Sequence, residues 1–96
     1  MAGSHDRAAE RAAKKLGGSY DATDSPDVKG KGVRAEVKSK ASEIPTAVDQ
    51  LGKGSQKKYL VLPQSEIPEA QEKLKGSGIG ILNYRARIVK RATTKK

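Results

Sequence analysis

The chain has 96 residues, and its 20 Lys or Arg residues against 11 Asp or Glu residues give a formal net charge of +9 at pH 7. It contains no cysteine, which excludes disulfides, zinc–thiolate sites and a cysteine nucleophile. With three tyrosines and no Phe or Trp, the core must be built from Ala, Val, Ile and Leu, and the length allows one small domain.

The charge balance and the lack of long apolar runs predict the partner and the location. The excess of positive charge attracts polyanions, so nucleic acid is the expected partner. No apolar run approaches the roughly 18 residues of a membrane span, and no signal-peptide pattern is present. We therefore expect an intracellular protein, in the cytoplasm or nucleoid of a prokaryotic or viral host cell.

The chain is divided into a terminal segment at each end and one domain between them. Residues 1–5 are interpreted as a disordered N-terminus or an expression remnant, and residues 92–96 as a basic disordered tail. Residues 6–16 of the domain are predicted to form a helix that ends at Gly17-Gly18. Glu10 lies on this helix with three basic residues within helical reach, so it is a candidate either for a functional site or for a surface ion pair.

A β-hairpin is predicted after a weak strand at residues 19–23. Apolar and charged residues alternate in residues 33–38, so Glu36 and Lys38 share one face of a strand. A two-residue turn at Gly30-Lys31 would place Asp27 diagonal to Glu36, with Cβ atoms about 7–8 Å apart. Two carboxylates at this separation can share one hard cation. The same charged side chains can instead form cross-strand ion pairs on a solvated face, each worth about a few tenths of a kcal/mol.

Two later segments begin alike and predict two further helices. Ser42-Glu43-Ile44-Pro45 and Ser65-Glu66-Ile67-Pro68 each offer a serine as a cap and a proline in the first turn. Apolar strands are predicted to follow them at residues 59–62 and 79–82. A helix between two strands predicts a right-handed crossover in a mixed or parallel sheet.

The last part of the chain carries a concentrated positive charge. Residues 84–96 contain six Lys or Arg residues and no acid. Arg85 and Arg87 alternate with apolar and aromatic residues, which predicts a strand with one basic face. Together with Arg34, and with Lys29 and Lys31 near the hairpin tip, they are the candidate contacts to nucleic-acid phosphates.

The predicted order of elements, αβββαβ with an appended helix and one or two strands, resembles the core of the PD-(D/E)xK nuclease superfamily. Pro26-Asp27, followed after a gap of eight residues by Glu36-Val37-Lys38, resembles the motif that names this superfamily. The resemblance covers residues 6–62, while residues 63–91 resemble an edge that many members add. In size and layout the chain is most similar to archaeal Holliday-junction resolvases. The resemblance implies an α/β, restriction-endonuclease-like fold with a mixed central sheet flanked by helices.

The resemblance also implies an activity and a role for each matching residue. Asp27, Glu36 and the Val37 carbonyl would bind Mg²⁺ or Mn²⁺, and Glu10 would join them directly or through water. Lys38 would orient or help to deprotonate the attacking water. The implied protein is an endonuclease that hydrolyses DNA phosphodiester bonds, including those of branched or structured DNA, and acts as a homodimer.

Two sequence observations leave room for other interpretations. Gln50 corresponds only loosely in spacing to a polar residue that some branches of the superfamily carry. The basic composition is equally compatible with a non-catalytic nucleic-acid-binding module. The alternating strand, the preceding helix with an acid and the following crossover together favour the nuclease.

Overall fold

A computed structural model describes residues 4–20, 27–52 and 57–92 of the chain. Within these residues it contains three α-helices and six β-strands. They are α1 (Ser4–Leu16), β1 (Gly18–Tyr20), β2 (Val28–Gly30), β3 (Val33–Val37), α2 (Ile44–Leu51), β4 (Lys57–Leu62), α3 (Ile67–Lys73), β5 (Gly80–Asn83) and β6 (Ile88–Lys90). Residues 21–23 of the predicted weak strand, residues 1–3 and residues 93–96 lie outside the described residues.

The six strands form one mixed sheet in sequence order. Strands β3, β4 and β5 are parallel, whereas β1–β2, β2–β3 and β5–β6 are antiparallel pairs. The predicted class, a small α/β protein with a mixed sheet, is confirmed. Because β3, β4 and β5 run in the same direction, their carboxyl ends meet at one end of the sheet.

Helices cover both faces of this sheet. The alanine stripe of α1 packs against one face of β2, β3 and β4, and the small side chains let the helix approach the sheet closely. The other face carries α2 and α3, whose apolar residues pack on Leu60, Leu62 and Ile81. None of the helices described here is long and apolar enough to cross a membrane.

The starts of α2 and α3 differ from the prediction of serine caps. Each helix follows a short 3-10 turn, at Ala41–Glu43 and Gln64–Glu66, and no side chain caps either helix start. Ser42 and Ser65 lie inside these turns rather than at the helix boundary, which removes them from the capping position. The two starts are joined instead by Glu66, whose Oε1 accepts a hydrogen bond from the Ala41 N–H at 2.8 Å. The prolines do lie in the first turn of each helix, as predicted.

The hairpin has a different register from the predicted one. Its turn is formed by Lys31 and Gly32, because Gly30 pairs with Val33 in the sheet. Gly32 adopts a φ of +72°, which glycine accommodates without strain. Gly30 is required inside the strand, since a Cβ there would lie 2.9 Å from the Gly18 Cα of the neighbouring strand. The register differs from the predicted one by two residues, so each side chain keeps its face.

The basic strand predicted around Arg85 and Arg87 is wrong. Residues 84–87 form the connection between β5 and β6, and the strand begins only at Ile88. The Asn83 side chain explains the difference: its Oδ1 accepts hydrogen bonds from the N–H groups of both arginines, each at 3.0 Å. Such a local side-chain bond competes with strand pairing. Between the arginines, Ala86 has a φ of +64°.

Candidate functional site

The carboxyl end of the parallel strands gathers most of the residues singled out from the sequence. Glu36 and Lys38 lie at the end of β3, and Asn83 ends β5. Because β2 is antiparallel to β3, the residue before its first position, Asp27, comes to the same end. In α/β sheets ligands bind outside the carboxyl ends of the strands. This end is therefore the candidate site.

Asp27 and Glu36 are held together by reciprocal hydrogen bonds. The Asp27 N–H donates to Glu36 Oε1 at 2.8 Å, and the Val37 N–H donates to Asp27 Oδ2 at 3.2 Å. Each carboxylate is thus fixed by the backbone of the strand that carries the other. Asp27 faces Glu36 directly instead of diagonally, which brings the two acids closer than the predicted register would.

Glu36 is the buried charged residue at the centre of this site. Its exposed fraction is 2 %, and its Oε2 lies 3.4 Å from Lys38 Nζ. Burial raises the pKa of Glu36 most strongly, and the charge of Asp27 raises it further. The Asp27 N–H and Lys38 lower it, but the net pKa lies above the ordinary value of 4.5. The surroundings therefore disfavour two negative charges here and would accept an additional cation.

Lys38 connects these acids to the β5–β6 turn. Its side chain is mostly buried, and its carbonyl oxygen accepts a hydrogen bond from Tyr84 Oη at 3.0 Å. Burial raises the pKa of Tyr84, and the nearby charge of Glu43 adds to the effect. The tyrosine therefore remains a donor at neutral pH and fixes the turn against the end of β3.

A cleft of about 410 Å³ opens at the same end of the sheet. It is lined by Gln64, Asn83, Tyr84, Arg85 and Arg87. Asn83 orients the amide of Gln64 by donating to its Oε1 at 3.1 Å. Both arginines are exposed to solvent. The structure thus places two predicted phosphate contacts on a turn instead of a strand, and Tyr84 of this turn connects it to the Lys38 carbonyl.

Glu10 is not among the residues whose charges shift the pKa of Glu36. It lies exposed on α1 and lines a second cleft of about 450 Å³ together with Tyr20. Tyr20 Oη donates a hydrogen bond to Asp6, and this bond, burial and the charges of Asp6, Asp27 and Glu10 raise the pKa of Tyr20 to about 12. Tyr20 lies at the Asp27 end of the hairpin, because it pairs with Val28.

Asp6 is an acid near Tyr20 that the sequence motifs do not single out. It precedes Glu10 by four residues on α1, so the two share one face of the helix. That spacing is the sequence signal that links Asp6 to Glu10. The contact with Tyr20, which joins α1 to β1, depends on the packing of the helix on the sheet.

The other three predicted phosphate contacts are not among the residues that line the cleft of about 410 Å³. Arg34 Nη1 donates to the Leu51 carbonyl at 3.1 Å, so it caps the last turn of α2. Lys29 pairs with Arg34 across the hairpin, and Lys31 lies in the turn at the amino end of β3. Strand β3 spans five residues, so about 13 Å separates the two ends of this strand. Gln50 lies half-buried on α2.

The two acids suit a hard cation, although they are few. Across residues 4–20, 27–52 and 57–92, no group of three or more His, Asp or Glu side chains is arranged to hold a metal ion. Mg²⁺ is usually bound by one or two carboxylates and keeps several waters. The donor set of Asp27, Glu36 and the Val37 carbonyl therefore fits Mg²⁺ better than a metal that needs a full protein cage.

No protein-family model matches the chain, and no curated protein or solved structure is significantly similar to it.

Proposed function

We propose that this protein is a divalent-metal-dependent endonuclease that hydrolyses DNA phosphodiester bonds. The observation that carries the proposal is the buried Glu36 carboxylate, held beside Asp27 and Lys38 at the carboxyl end of β3. A buried ionisable group with a raised pKa and charged neighbours is a candidate for function. The order of helices and strands also agrees with the αβββαβ core that the nuclease resemblance implies.

Asp27, Glu36 and the Val37 carbonyl would hold Mg²⁺ or Mn²⁺. The metal would neutralise the phosphate, lower the pKa of a bound water and stabilise the leaving oxygen. The fit follows from the electrostatics, because burial and the Asp27 charge both disfavour the negative form of Glu36. A second cation beside Lys38 would offset both effects, because it favours the negatively charged form of Glu36.

The protein supplies the remaining functions. Lys38 Nζ, 3.4 Å from Glu36 Oε2, would orient the attacking water and offset the charge that develops on the phosphate. Arg85 and Arg87 would contact the DNA backbone beside it. A homodimer is part of the proposal, since one domain of this size cannot reach both strands of a duplex or the arms of a junction.

A non-catalytic nucleic-acid-binding module is the second candidate. The observation that favours it is that backbone N–H groups and Lys38 already satisfy the two carboxylates, as in a structural ion pair. The formal net charge of +9 supports binding without requiring catalysis.

One set of cleavage assays separates the two candidates. Supercoiled, linear, single-stranded and four-way-junction DNA are incubated with Mg²⁺ or Mn²⁺, or with EDTA. Glu36→Gln removes the central carboxylate, and Glu69→Gln is the matched control on an exposed ion pair of α3. Cleavage by the wild type and the Glu69 variant, lost with EDTA or in the Glu36 variant, supports the nuclease. Salt-sensitive binding with no cleavage above the Glu36 variant supports the binding module instead.

A further inference from the structure

The cleft at the β5–β6 turn combines a buried residue with two exposed arginines. Ala86, which separates the two arginines, is buried against the core on the α1 face of the sheet, with an exposed fraction of 9 %. Arg85 and Arg87 are exposed and both line the cleft. The turn therefore directs two guanidinium groups to one place.

The backbone of this turn is fixed in advance. Asn83 Oδ1 accepts hydrogen bonds from the N–H groups of Arg85 and Arg87, while the Asn83 N–H donates to the Arg87 carbonyl at 3.1 Å. Ala86 is the one non-glycine residue of the described chain with a positive φ. A strained conformation that its surroundings hold in place is typical of functional sites.

The charges at the cleft favour an anion. None of the described residues that line it is acidic, and Glu43 is the acid whose charge reaches Tyr84 on its wall. A third cation lies nearby, since Arg11 Nη1 of α1 donates to the Tyr84 carbonyl at 3.3 Å. The side-chain oxygen of Gln64 already accepts a hydrogen bond from Asn83, and the side-chain N–H groups of Gln64 can donate to a ligand. Paired guanidinium groups with amide donors match the oxygens of a phosphate.

We propose that this cleft binds a phosphodiester of the DNA backbone next to the one at the Asp27–Glu36–Lys38 site. The identity of the ligand rests on the proposed function. Tyr84 lines the cleft and donates to the Lys38 carbonyl, so one tyrosine side chain spans the two places. Successive phosphates of one strand are joined through a single sugar, so a strand seated at Lys38 would bring a neighbouring phosphate towards the arginines.

DNA binding without metal tests the cleft separately from catalysis. Fluorescence anisotropy with labelled duplex and four-way-junction DNA is measured in EDTA over a range of salt concentrations. The Arg85→Gln, Arg87→Gln double variant is compared with a Lys57→Gln, Lys75→Gln double variant. Both lysines are exposed; Lys57 begins β4 and Lys75 lies in the turn between α3 and β5. Both double variants lower the formal net charge from +9 to +7.

The arginine variant is expected to lose one phosphate contact. The slope of log affinity against log salt should become shallower by about 0.9, so that the loss of affinity between about 50 and 200 mM salt is about 3.5-fold smaller. The lysine variant should keep the wild-type slope. Equal slopes in the two double variants would overturn the proposal that the cleft binds a phosphate. A changed slope only in the arginine variant supports phosphate binding by the cleft. If the wild type nevertheless does not cleave DNA, only the catalytic proposal fails.

A second measurement does not depend on how the variants fold. In the wild type, the side-chain amide signals of Gln64 are expected to shift when duplex DNA is added in EDTA. Gln71, exposed on α3 and outside the cleft, is the internal reference. Equal shifts of both glutamines, or a shift of Gln71 alone, would overturn the assignment.

Discussion

Glu36→Gln is expected to change how the stability of the protein depends on pH. Glutamine has nearly the shape of glutamate and keeps an oxygen that can accept the 2.8 Å hydrogen bond from the Asp27 N–H. The substitution removes a charge that is 2 % exposed and lies beside a second acid. It also ends the ion pair with Lys38, whose side chain is 16 % exposed and keeps access to water.

The sign of the effect follows from the raised pKa of Glu36. Between pH 4.5, the ordinary value, and the raised value, the folded protein binds more protons at Glu36 than the unfolded chain does. The contribution of Glu36 to stability is therefore complete below pH 4.5 and is lost as the pH rises through the folded pKa. One proton limits this slope to about 1.4 kcal/mol per pH unit. For a 96-residue chain, this limit corresponds to a change in melting temperature of about 6–11 °C per pH unit.

Urea unfolding measured by circular dichroism from about pH 4 to about pH 8 gives the free energies of both proteins. The Gln variant should gain stability relative to the wild type as the pH rises above 4.5, and the gain should level off once Glu36 is ionised in the folded state. Glu69→Gln, on an exposed ion pair, should follow the wild type throughout. A relative stability that is flat or decreases with pH would refute the reasoning.

Added Mg²⁺ is expected to stabilise the wild type relative to the Gln variant at neutral pH, which is opposite to the effect of pH alone. Mg²⁺ at about 100 times its dissociation constant would stabilise the wild type by about 2.7 kcal/mol, because the ion binds only the folded state. The Gln variant lacks the charged ligand and should gain little. Stabilisation of both proteins by the same amount would place the ion somewhere other than Glu36.

Three further substitutions test individual contacts. Lys38→Met should abolish cleavage while Mg²⁺ still stabilises the protein, since the lysine competes with a cation for Glu36; loss of the Mg²⁺ effect would contradict this assignment. Tyr84→Phe removes the hydrogen bond to the Lys38 carbonyl and should lower the free energy of urea unfolding by about 0.5–1.5 kcal/mol, so an unchanged value would argue against the link. Arg34→Gln should cost about 1 kcal/mol of stability through the lost contact with Leu51 and leave the salt dependence of DNA binding nearly unchanged; a slope as altered as that of the Arg85–Arg87 double variant would make Arg34 a phosphate contact instead.

The hairpin illustrates what the sequence could predict and what it could not. Alternation along β3 determines which side chains share a face, and this property survives a shift of two residues. The register itself depends on the close approach of Gly30 to Gly18 on β1. Residues 27–38 alone do not contain that contact, so their pattern predicts a turn one residue before the observed one. The facing arrangement of Asp27 and Glu36 follows from this longer-range pairing.

The strand predicted at the β5–β6 turn is wrong for a local reason. Alternating apolar and basic residues predict a strand, but a side-chain oxygen at Asn83 satisfies two backbone N–H groups and bends the chain. The positive φ of Ala86 has no sequence signal, because alanine is not a residue that favours it. Burial against the core and a hydrogen bond from the Ala86 N–H to the Asn83 carbonyl at 2.9 Å accompany this conformation, and the turn forms a cleft instead of a flat basic strand.

The position of Asp27 argues that the acids at the end of β3 have a purpose beyond stability. A lone Glu36–Lys38 pair would satisfy the buried carboxylate, whereas the charge of Asp27 works against it by raising the pKa of Glu36. Apolar residues at these positions would avoid the cost of burying charge. A second acid is useful where additional positive charge arrives, and the divalent cation of the proposed function would supply it at the Asp27–Glu36 pair. Arg85 and Arg87 extend the same logic under the proposed function, because the cleft that they line would offer positive charge to a polyanion bound at the acids.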